Sequence, residues 1–198
     1  MSPAAASPPL VLASTSPFRR EILQKLGLPF AAVAPNADES VMQGESPQAL
    51  VRRLAENKAR AVASDWPDAL IIGSDQVACI DSEILGKPGN RETAVKQLSQ
   101  AAGRTVTFYT GLCLFNSSSQ RKQVCCDPFK VHFRPLSQDQ IGRYLDHEQP
   151  FNCAGSFKSE GMGITLFSRL EGDDPNSLIG LPLIRLVEML GNEGIKLP

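Results

Sequence analysis

The 198-residue sequence has almost no net charge, only two histidines and no long apolar run. Twenty Lys and Arg residues are balanced by 21 Asp and Glu residues, which gives a formal net charge of -1 at pH 7. Proteins hold nucleic acids largely through a basic surface, so this balance argues against a nucleic-acid polymer as the partner. A small, locally charged molecule fits the composition better.

The beginning of the chain lacks the features of a targeting sequence. Residues 1–9 are rich in Ala, Pro and Ser but contain no Lys or Arg, and the apolar run at 10–13 is far too short to span a bilayer. The five cysteines form no C-x-x-C pair, which disfavours a zinc site or a disulfide framework. We therefore predict a cytoplasmic protein with reduced thiols, no membrane contact, a flexible leader at 1–9 and a single domain at 10–198.

Several common catalytic motifs are also missing. The sequence contains no G-x-x-x-x-G-K-[ST], no strand-linked G-x-G-x-x-G, no H-E-x-x-H and no G-x-S-x-G. His132 and His147 are the only histidines. Catalysis centred on histidine, or a metal site built from several histidines, therefore has little support.

Short apolar runs alternate with capped helices, which predicts an α/β fold with a mixed, twisted sheet and flanking helices. Ser16-Pro17 and Ser46-Pro47 are typical helix starts. The predicted strands are 10–13, 30–34, 70–74, 77–80, 105–115 and 123–133. The predicted helices begin at 16 and 46 or cover 90–102, 137–147 and 176–190. The hairpin formed by the last two strands interrupts the alternation, so a purely parallel sheet is not expected.

The junction between the first strand and the first helix is the first candidate for a functional site. Small hydroxyl residues, including Ser14, precede the helix, and Arg19 and Arg20 lie in its first turn. Free backbone N–H groups at a helix start suit a phosphate, and arginines there oppose the helix dipole unless an anion lies between them. The alternative is a well-capped helix with two exposed arginines.

Acids and lysines in other segments complete a possible polyphosphate site. Lys58 lies on the apolar stripe of its helix, where it either reaches outward to solvent or points into a negatively charged cleft. Asp75 is predicted at the end of a strongly apolar strand, where α/β sheets usually open into a ligand crevice. There it could bind a cation or accept a proton, or it could simply cap a turn. Lys87 lies on a stiff Gly-Lys-Pro turn, and Glu39 follows a short strand. Together these residues could hold a metal-bound polyphosphate.

These segments carry a resemblance to a known family. The ordered set L-A-S-T-S-P-x-R-R, Asp-Glu, A-x-x-K-A, G-S-D-Q-V, G-K-P and G-S-F-K-S-E-G resembles the Maf family of nucleotide pyrophosphatases from Leu10 to about Gly194. Gln76 and the run 154–161 are most similar to the branch of the family that acts on 7-methyl-GTP.

The resemblance implies an elongated, two-lobed fold with a central cleft, a divalent cation (Mg²⁺ or Mn²⁺) and often a homodimer. It also implies hydrolysis between the α- and β-phosphates of a nucleoside triphosphate. Each candidate residue then has an implied role: Asp75 as the general base, Glu39 and Asp75 near the metal, Ser14, Arg19, Lys58 and Lys87 on the phosphates, and Phe18, Gln76 and Glu160 at the base.

Phe18 departs from the pattern of that branch, in which tryptophan is expected. An aromatic face attracts the positively charged 7-methylguanine by a cation–π interaction of about 0.5–2 kcal/mol, and Glu160 can accept hydrogen bonds from the guanine edge. Without the resemblance, Phe18 is expected to pack on Ile22, four residues away. Two alternative functions remain: a pyrophosphatase for dTTP, UTP or a broad range of modified nucleotides, and a non-catalytic regulator of cell division.

Overall fold

The computed structural model describes residues 7–81 and 83–198. Residues 1–6, which form most of the predicted leader, lie outside the described residues. The helices and strands, in chain order, are β1 (Leu10–Ala13), α1 (Pro17–Gln24), β2 (Phe30–Val33), α2 (Pro47–Ala61), β3 (Leu70–Ile80), β4 (Glu83–Leu85), α3 (Arg91–Ala101), β5 (Thr105–Asn116), β6 (Lys122–Phe133), α4 (Gln138–Glu148), β7 (Phe167–Glu171), α5 (Pro175–Ile179) and α6 (Leu183–Asn192).

The strands form one mixed sheet. Its order is β2-β1-β3-β5-β6-β7, and β4 pairs with the end of β3. β1 is parallel to both of its neighbours, whereas the β3–β5, β5–β6 and β6–β7 pairings are antiparallel. The predicted mixed α/β sheet with flanking helices is therefore confirmed, and so is the predicted hairpin, which is the β5–β6 pair.

The long strands carry two lobes with separate cores. In one lobe α3 and α4 pack on β5 and β6, and four phenylalanines meet edge to face with ring centroids 4.8 to 5.6 Å apart: Phe108, Phe133, Phe157 and Phe167. In the other lobe, side chains of α1 and α6 pack in one cluster and those of α2 in another. Successive β1 residues alternate between these two clusters, as the period of a strand requires.

Two predicted elements differ from the structure. The runs 70–74 and 77–80 form a single strand, β3, because β5 pairs with it from Leu70 to Cys79 without interruption. The predicted helix 176–190 is two helices, because Gly180 adopts a φ of +119° and ends α5, and Pro182 precedes α6. In the described ranges, no helix is long and apolar enough to cross a membrane.

Helix α2 lies unusually close to the sheet. A Cβ atom on Gly73 of β3 would overlap the carbonyl oxygen of Ala55, and one on Gly111 of β5 would overlap the carbonyl oxygen of Val51. Both glycines are needed because the helix backbone, and not a side chain, occupies the space that their Cβ atoms would fill. This approach fixes how far the side chains of α2 reach across the sheet.

We expect Gly73→Ala to destabilise the protein by about 1–3 kcal/mol or more, because the added methyl group must push α2 away from the sheet. The free energy of unfolding in urea measures the effect. The matched control is Gly191→Ala in α6, where an added Cβ meets no heavy atom within 4 Å. Equal stabilities for the two variants would show that the backbone contact does not constrain the fold.

Candidate active site

A cleft of about 780 Å³ opens between the two lobes. It is lined from one side by the β1–α1 junction and from the other by the segment that follows α4. All nine residues predicted from the sequence line it: Ser14, Phe18, Arg19, Glu39, Lys58, Asp75, Gln76, Lys87 and Glu160. The structure therefore brings together residues that are up to 146 positions apart in the chain.

Lys58 lies at the centre of the acidic part of the cleft. Its Nζ is 2.6 Å from Asp75 Oδ1 and 3.0 Å from Glu39 Oε1. The residue is only 6% exposed, so it does not reach outward to bulk solvent. A buried ammonium group needs such partners, since an unpaired charge in this position would be costly.

Asp75 lies in the middle of β3, so its prediction as a residue at the end of an apolar strand was wrong. The parallel neighbour β1 pairs with β3 only as far as Gly73, whereas β5 continues past Asp75 on the other side. Asp75 therefore lies just beyond the carboxyl end of β1, where an α/β sheet commonly opens into a ligand crevice.

The two carboxylate oxygens of Asp75 have different surroundings. Oδ1 accepts a hydrogen bond from Lys58, whereas Oδ2 has no hydrogen-bond partner among the described residues. Oδ2 is not fully buried, and because Asp75 lines the cleft, this oxygen is open to it. One oxygen is held in place and the other is free to meet a water molecule or a cation.

Glu39 lies on an irregular loop that Arg53 of α2 fastens to the protein. Arg53 Nε and one terminal nitrogen donate to the two oxygens of Glu45 at 2.7 and 2.6 Å, and that terminal nitrogen also donates to the carbonyl oxygen of Ser40 at 2.9 Å. The Glu39 side chain itself is 59% exposed. Arg53 and Glu45 were not predicted from the sequence, because an ion pair between a loop and the following helix has no motif.

The β1–α1 junction combines capping with a placed arginine. Ser14 is buried and its Oγ accepts from the backbone N–H of Ser16, which in turn caps α1. Arg19 Nε donates to the carbonyl oxygen of Gly180 at 2.8 Å. Burial lowers the pKa of the Arg19 guanidinium, and the charges of Asp75 and Glu39 oppose that shift. Arg20 is exposed, so only one of the two arginines lies in the cleft.

Candidates for base recognition and two lysines lie around the same cleft. Phe18 is partly buried, Glu160 is exposed and contacts Ser159 Oγ at 3.1 Å, and Lys87 is exposed on the loop after β4. Lys158 also lines the cleft, with its Nζ 3.1 Å from the carbonyl oxygen of Glu148. Lys158 belongs to the run G-S-F-K-S-E-G, but no role was predicted for it, because a lysine on its own does not indicate that its side chain lines a cleft.

A cysteine nucleophile does not fit this site. All five cysteines are free, and Cys153 is the one that lines the cleft. Burial raises the pKa of the Cys153 thiol, and it raises the pKa of Cys79 to about 11 and that of Cys113 to about 12. Thiols with raised pKa values are poor nucleophiles at neutral pH.

The cleft offers oxygen ligands suited to a hard divalent cation. No group of three or more His, Cys, Asp or Glu residues that could hold a metal occurs in the described part of the chain. Glu39 and Asp75 supply two carboxylates, joined through Lys58. Mg²⁺ is commonly bound by one or two carboxylates together with substrate phosphates, so this donor set fits a cation that arrives with a polyphosphate.

The family profile described as Maf-like protein matches residues 9–193. The chain belongs to the Maf family. Curated relatives in this family include a 7-methyl-GTP pyrophosphatase of Alcanivorax borkumensis, 60% identical over 192 residues, covering 97% of this chain and 98% of the relative. A 7-methyl-GTP pyrophosphatase of Pseudomonas aeruginosa is 56% identical over 191 residues, covering 96% of this chain and 100% of the relative.

The solved structure of a more distant protein has a similar fold. The Staphylococcus aureus Ham1 protein superimposes with a TM-score of 0.53 at 15% sequence identity, covering 93% of this chain and 98% of that chain. At this identity the likeness concerns the fold alone. The overall fold is therefore shared by proteins with little sequence in common.

We expect Arg53→Met to release the loop that carries Glu39, because the loop then loses three hydrogen bonds to α2. Hydrogen–deuterium exchange should become faster in residues 38–45 and stay unchanged in β3 and β5. The matched control is Arg52→Met, which changes the neighbouring, exposed arginine of the same helix. Unchanged exchange in 38–45 would mean that the loop is held by other contacts.

Proposed function

We propose that this protein hydrolyses 7-methyl-GTP to 7-methyl-GMP and pyrophosphate. The observation that carries the proposal is the convergence of Glu39, Lys58 and Asp75 in one cleft that also contains Phe18 and Glu160. Seven relatives at 55–61% identity, each matched over at least 93% of its own length, are named 7-methyl-GTP pyrophosphatase. The chemistry of the cleft and the names of the relatives agree.

In the proposed reaction, Asp75 is the general base. Its Oδ2 accepts a proton from water as the water oxygen attacks phosphorus and the anhydride bond between the α- and β-phosphates breaks. Pyrophosphate leaves with the bridging oxygen. Lys58 holds the other oxygen of Asp75 at 2.6 Å, so the base cannot turn away from the attacking water.

The cationic groups of the cleft would absorb the negative charge of the leaving group. Arg19 and Lys87 lie on different segments of the cleft wall, and Ser14 lies beside the start of α1. Preorganised cations and N–H groups stabilise charge that develops in a transition state without having to reorient. This assignment explains why arginine occurs at a helix start, where the dipole alone would disfavour it.

We further propose that Mg²⁺ or Mn²⁺ assists the reaction, with Glu39 and Asp75 as its protein ligands. When bound, the cation would neutralise phosphate charge and polarise a phosphate oxygen. A homodimer and a cytoplasmic location are proposed on the resemblance to the family and on the reduced cysteines.

Base selection is proposed to depend on Phe18, Gln76 and Glu160. Methylation at N7 gives guanine a positive charge, which an aromatic face attracts and which a carboxylate complements. Plain GTP lacks that charge. The aromatic face of Phe18 is smaller than that of tryptophan, so it offers less area to the base.

A panel of nucleotides tests the proposal. We expect 7-methyl-GTP to release pyrophosphate faster than GTP, dTTP, UTP and ATP with Mg²⁺ or Mn²⁺, and turnover to stop when the metal is chelated. Asp75→Asn should lower kcat by about 10²–10⁴-fold, the usual contribution of a general base. Asp146→Asn, an exposed aspartate on α4, is the control and should behave as the wild type.

Three outcomes of this panel would contradict the proposal. Faster turnover of dTTP or UTP would point to the pyrimidine-specific alternative. Nucleotide binding without any product would favour a non-catalytic regulator. Near-normal turnover by Asp75→Asn would remove Asp75 from the role of the base.

We expect Phe18→Leu to lower kcat/KM for 7-methyl-GTP by about two- to thirtyfold more than for GTP, because a cation–π interaction of about 0.5–2 kcal/mol is lost only with the charged base. Leucine keeps the apolar contact, and Phe18→Trp is the matched variant that keeps the π face. Equal losses with both nucleotides in Phe18→Leu would exclude a charge-selective role for the ring.

A further inference from the structure

The side-chain amide of Gln76 has a fixed orientation. Its Nε2 lies 2.8 and 3.1 Å from the carbonyl oxygens of Ser177 and Leu178 and 2.9 Å from Thr110 Oγ1, so its two hydrogens are shared among three acceptors. Amide nitrogen and oxygen are often hard to distinguish, but backbone carbonyls can only accept. The nitrogen of Gln76 must therefore face α5, and the oxygen must face away from it.

Thr110 of β5 connects this amide to α5. It is completely buried, and its hydroxyl donates its single hydrogen to the carbonyl oxygen of Ser177 at 2.8 Å. The hydroxyl can then only accept from Gln76, which again requires the amide nitrogen on that side. Thr110 therefore contacts both the Gln76 side chain and the backbone of α5.

The remaining atom of the amide, Gln76 Oε1, is available to a ligand. Among residues 7–81 and 83–198, no group donates a hydrogen bond to this oxygen, and the oxygen is not fully buried. Because Gln76 lines the cleft, this oxygen opens onto it. The residue therefore presents an acceptor, and not a donor, to the substrate.

We propose that Thr110 is a positioning residue for base selection, which acts by holding Gln76 so that only its carbonyl oxygen faces the nucleotide. The inference rests on the proposed function. An acceptor at this place selects a base edge that donates: guanine offers N1–H and a 2-amino group, whereas adenine has an acceptor at N1 and no amino group at C2. Glu160, a second acceptor on the cleft wall, favours the same edge.

Position 110 allows a nearly isosteric test. Thr110→Val removes the hydroxyl but keeps the shape, and Thr110→Ser keeps the hydroxyl and removes only a methyl group. The quantity to measure is kcat/KM for 7-methyl-GTP and for ATP, each followed by pyrophosphate release. Thr110→Val should lower the ratio of the two values by about three- to tenfold, which is the scale of one hydrogen bond, and Thr110→Ser should restore most of it. An unchanged ratio in Thr110→Val would overturn the proposal.

A double-mutant cycle separates positioning from a general structural effect. If Thr110 acts through Gln76, Thr110→Val should not lower the ratio further in a Gln76→Ala background. Additive losses would mean that Thr110 affects the base independently of Gln76, and would also overturn the proposal.

Gln76→Glu provides a second test that does not depend on the folding of Thr110→Val. The new carboxylate would place an oxygen against two backbone carbonyls and a hydroxyl that has already donated its hydrogen, so the side chain should turn away. For this variant the ratio compares GTP with ATP, because neither base carries the N7 charge that an added carboxylate would attract, and this ratio should fall. Full retention of the ratio in this variant would contradict the fixed orientation. If the wild type releases no pyrophosphate from any nucleotide, the proposed function fails instead, so the two failures are distinguishable.

Discussion

The close contact between α2 and the sheet is the constraint on which the site depends. Gly73 and Gly111 leave room for helix backbone against strand backbone, and they flank Asp75, since Gly111 is the residue paired with Asp75 across β3 and β5. If side chains at these two positions pushed α2 away from the sheet, Lys58 would move away from its carboxylate partners. The packing of α2 on the sheet and the ion pairs of Lys58 therefore depend on the same two glycines.

The acidic centre combines a buried cation with two carboxylates of unequal freedom. Asp75 is fixed on a central strand, whereas Glu39 is on a loop that depends on Arg53 of α2. Helix α2 thus contributes both the lysine between the acids and the arginine that holds the loop carrying Glu39. A polyphosphate or a cation entering the cleft would compete for the same charges, so ligand binding and loop position are coupled in this geometry.

The sequence predicted which residues share the cleft better than it predicted their structural setting. Asp75 and Lys58 were recognised through local motifs, and the structure brings both into one cleft. Asp75 was expected at a strand end because its flanking run is apolar, but the end of a neighbouring strand, β1, creates the opening. Arg53 and Thr110 were missed because their partners are set by tertiary contacts, which no short spacing encodes. The break at Gly180 was missed because apolar residues continue on both sides of it, so that α5 and α6 look like one helix in the sequence.

Helix α5, only five residues long, links the two ends of the proposed substrate. The carbonyl oxygen of Gly180 at its end accepts hydrogen bonds from Arg19, a proposed phosphate ligand, and from Ser74. The carbonyls of Ser177 and Leu178 hold Gln76, which is proposed to contact the base. A shift of α5 would therefore move both proposed ligands together. The position of α5 is held by Asp174, whose carboxylate accepts hydrogen bonds from the backbone N–H groups of Asn176 and Ile184. Because both sets of contacts use backbone carbonyls, the coupling depends on the position of α5 more than on the identity of its side chains.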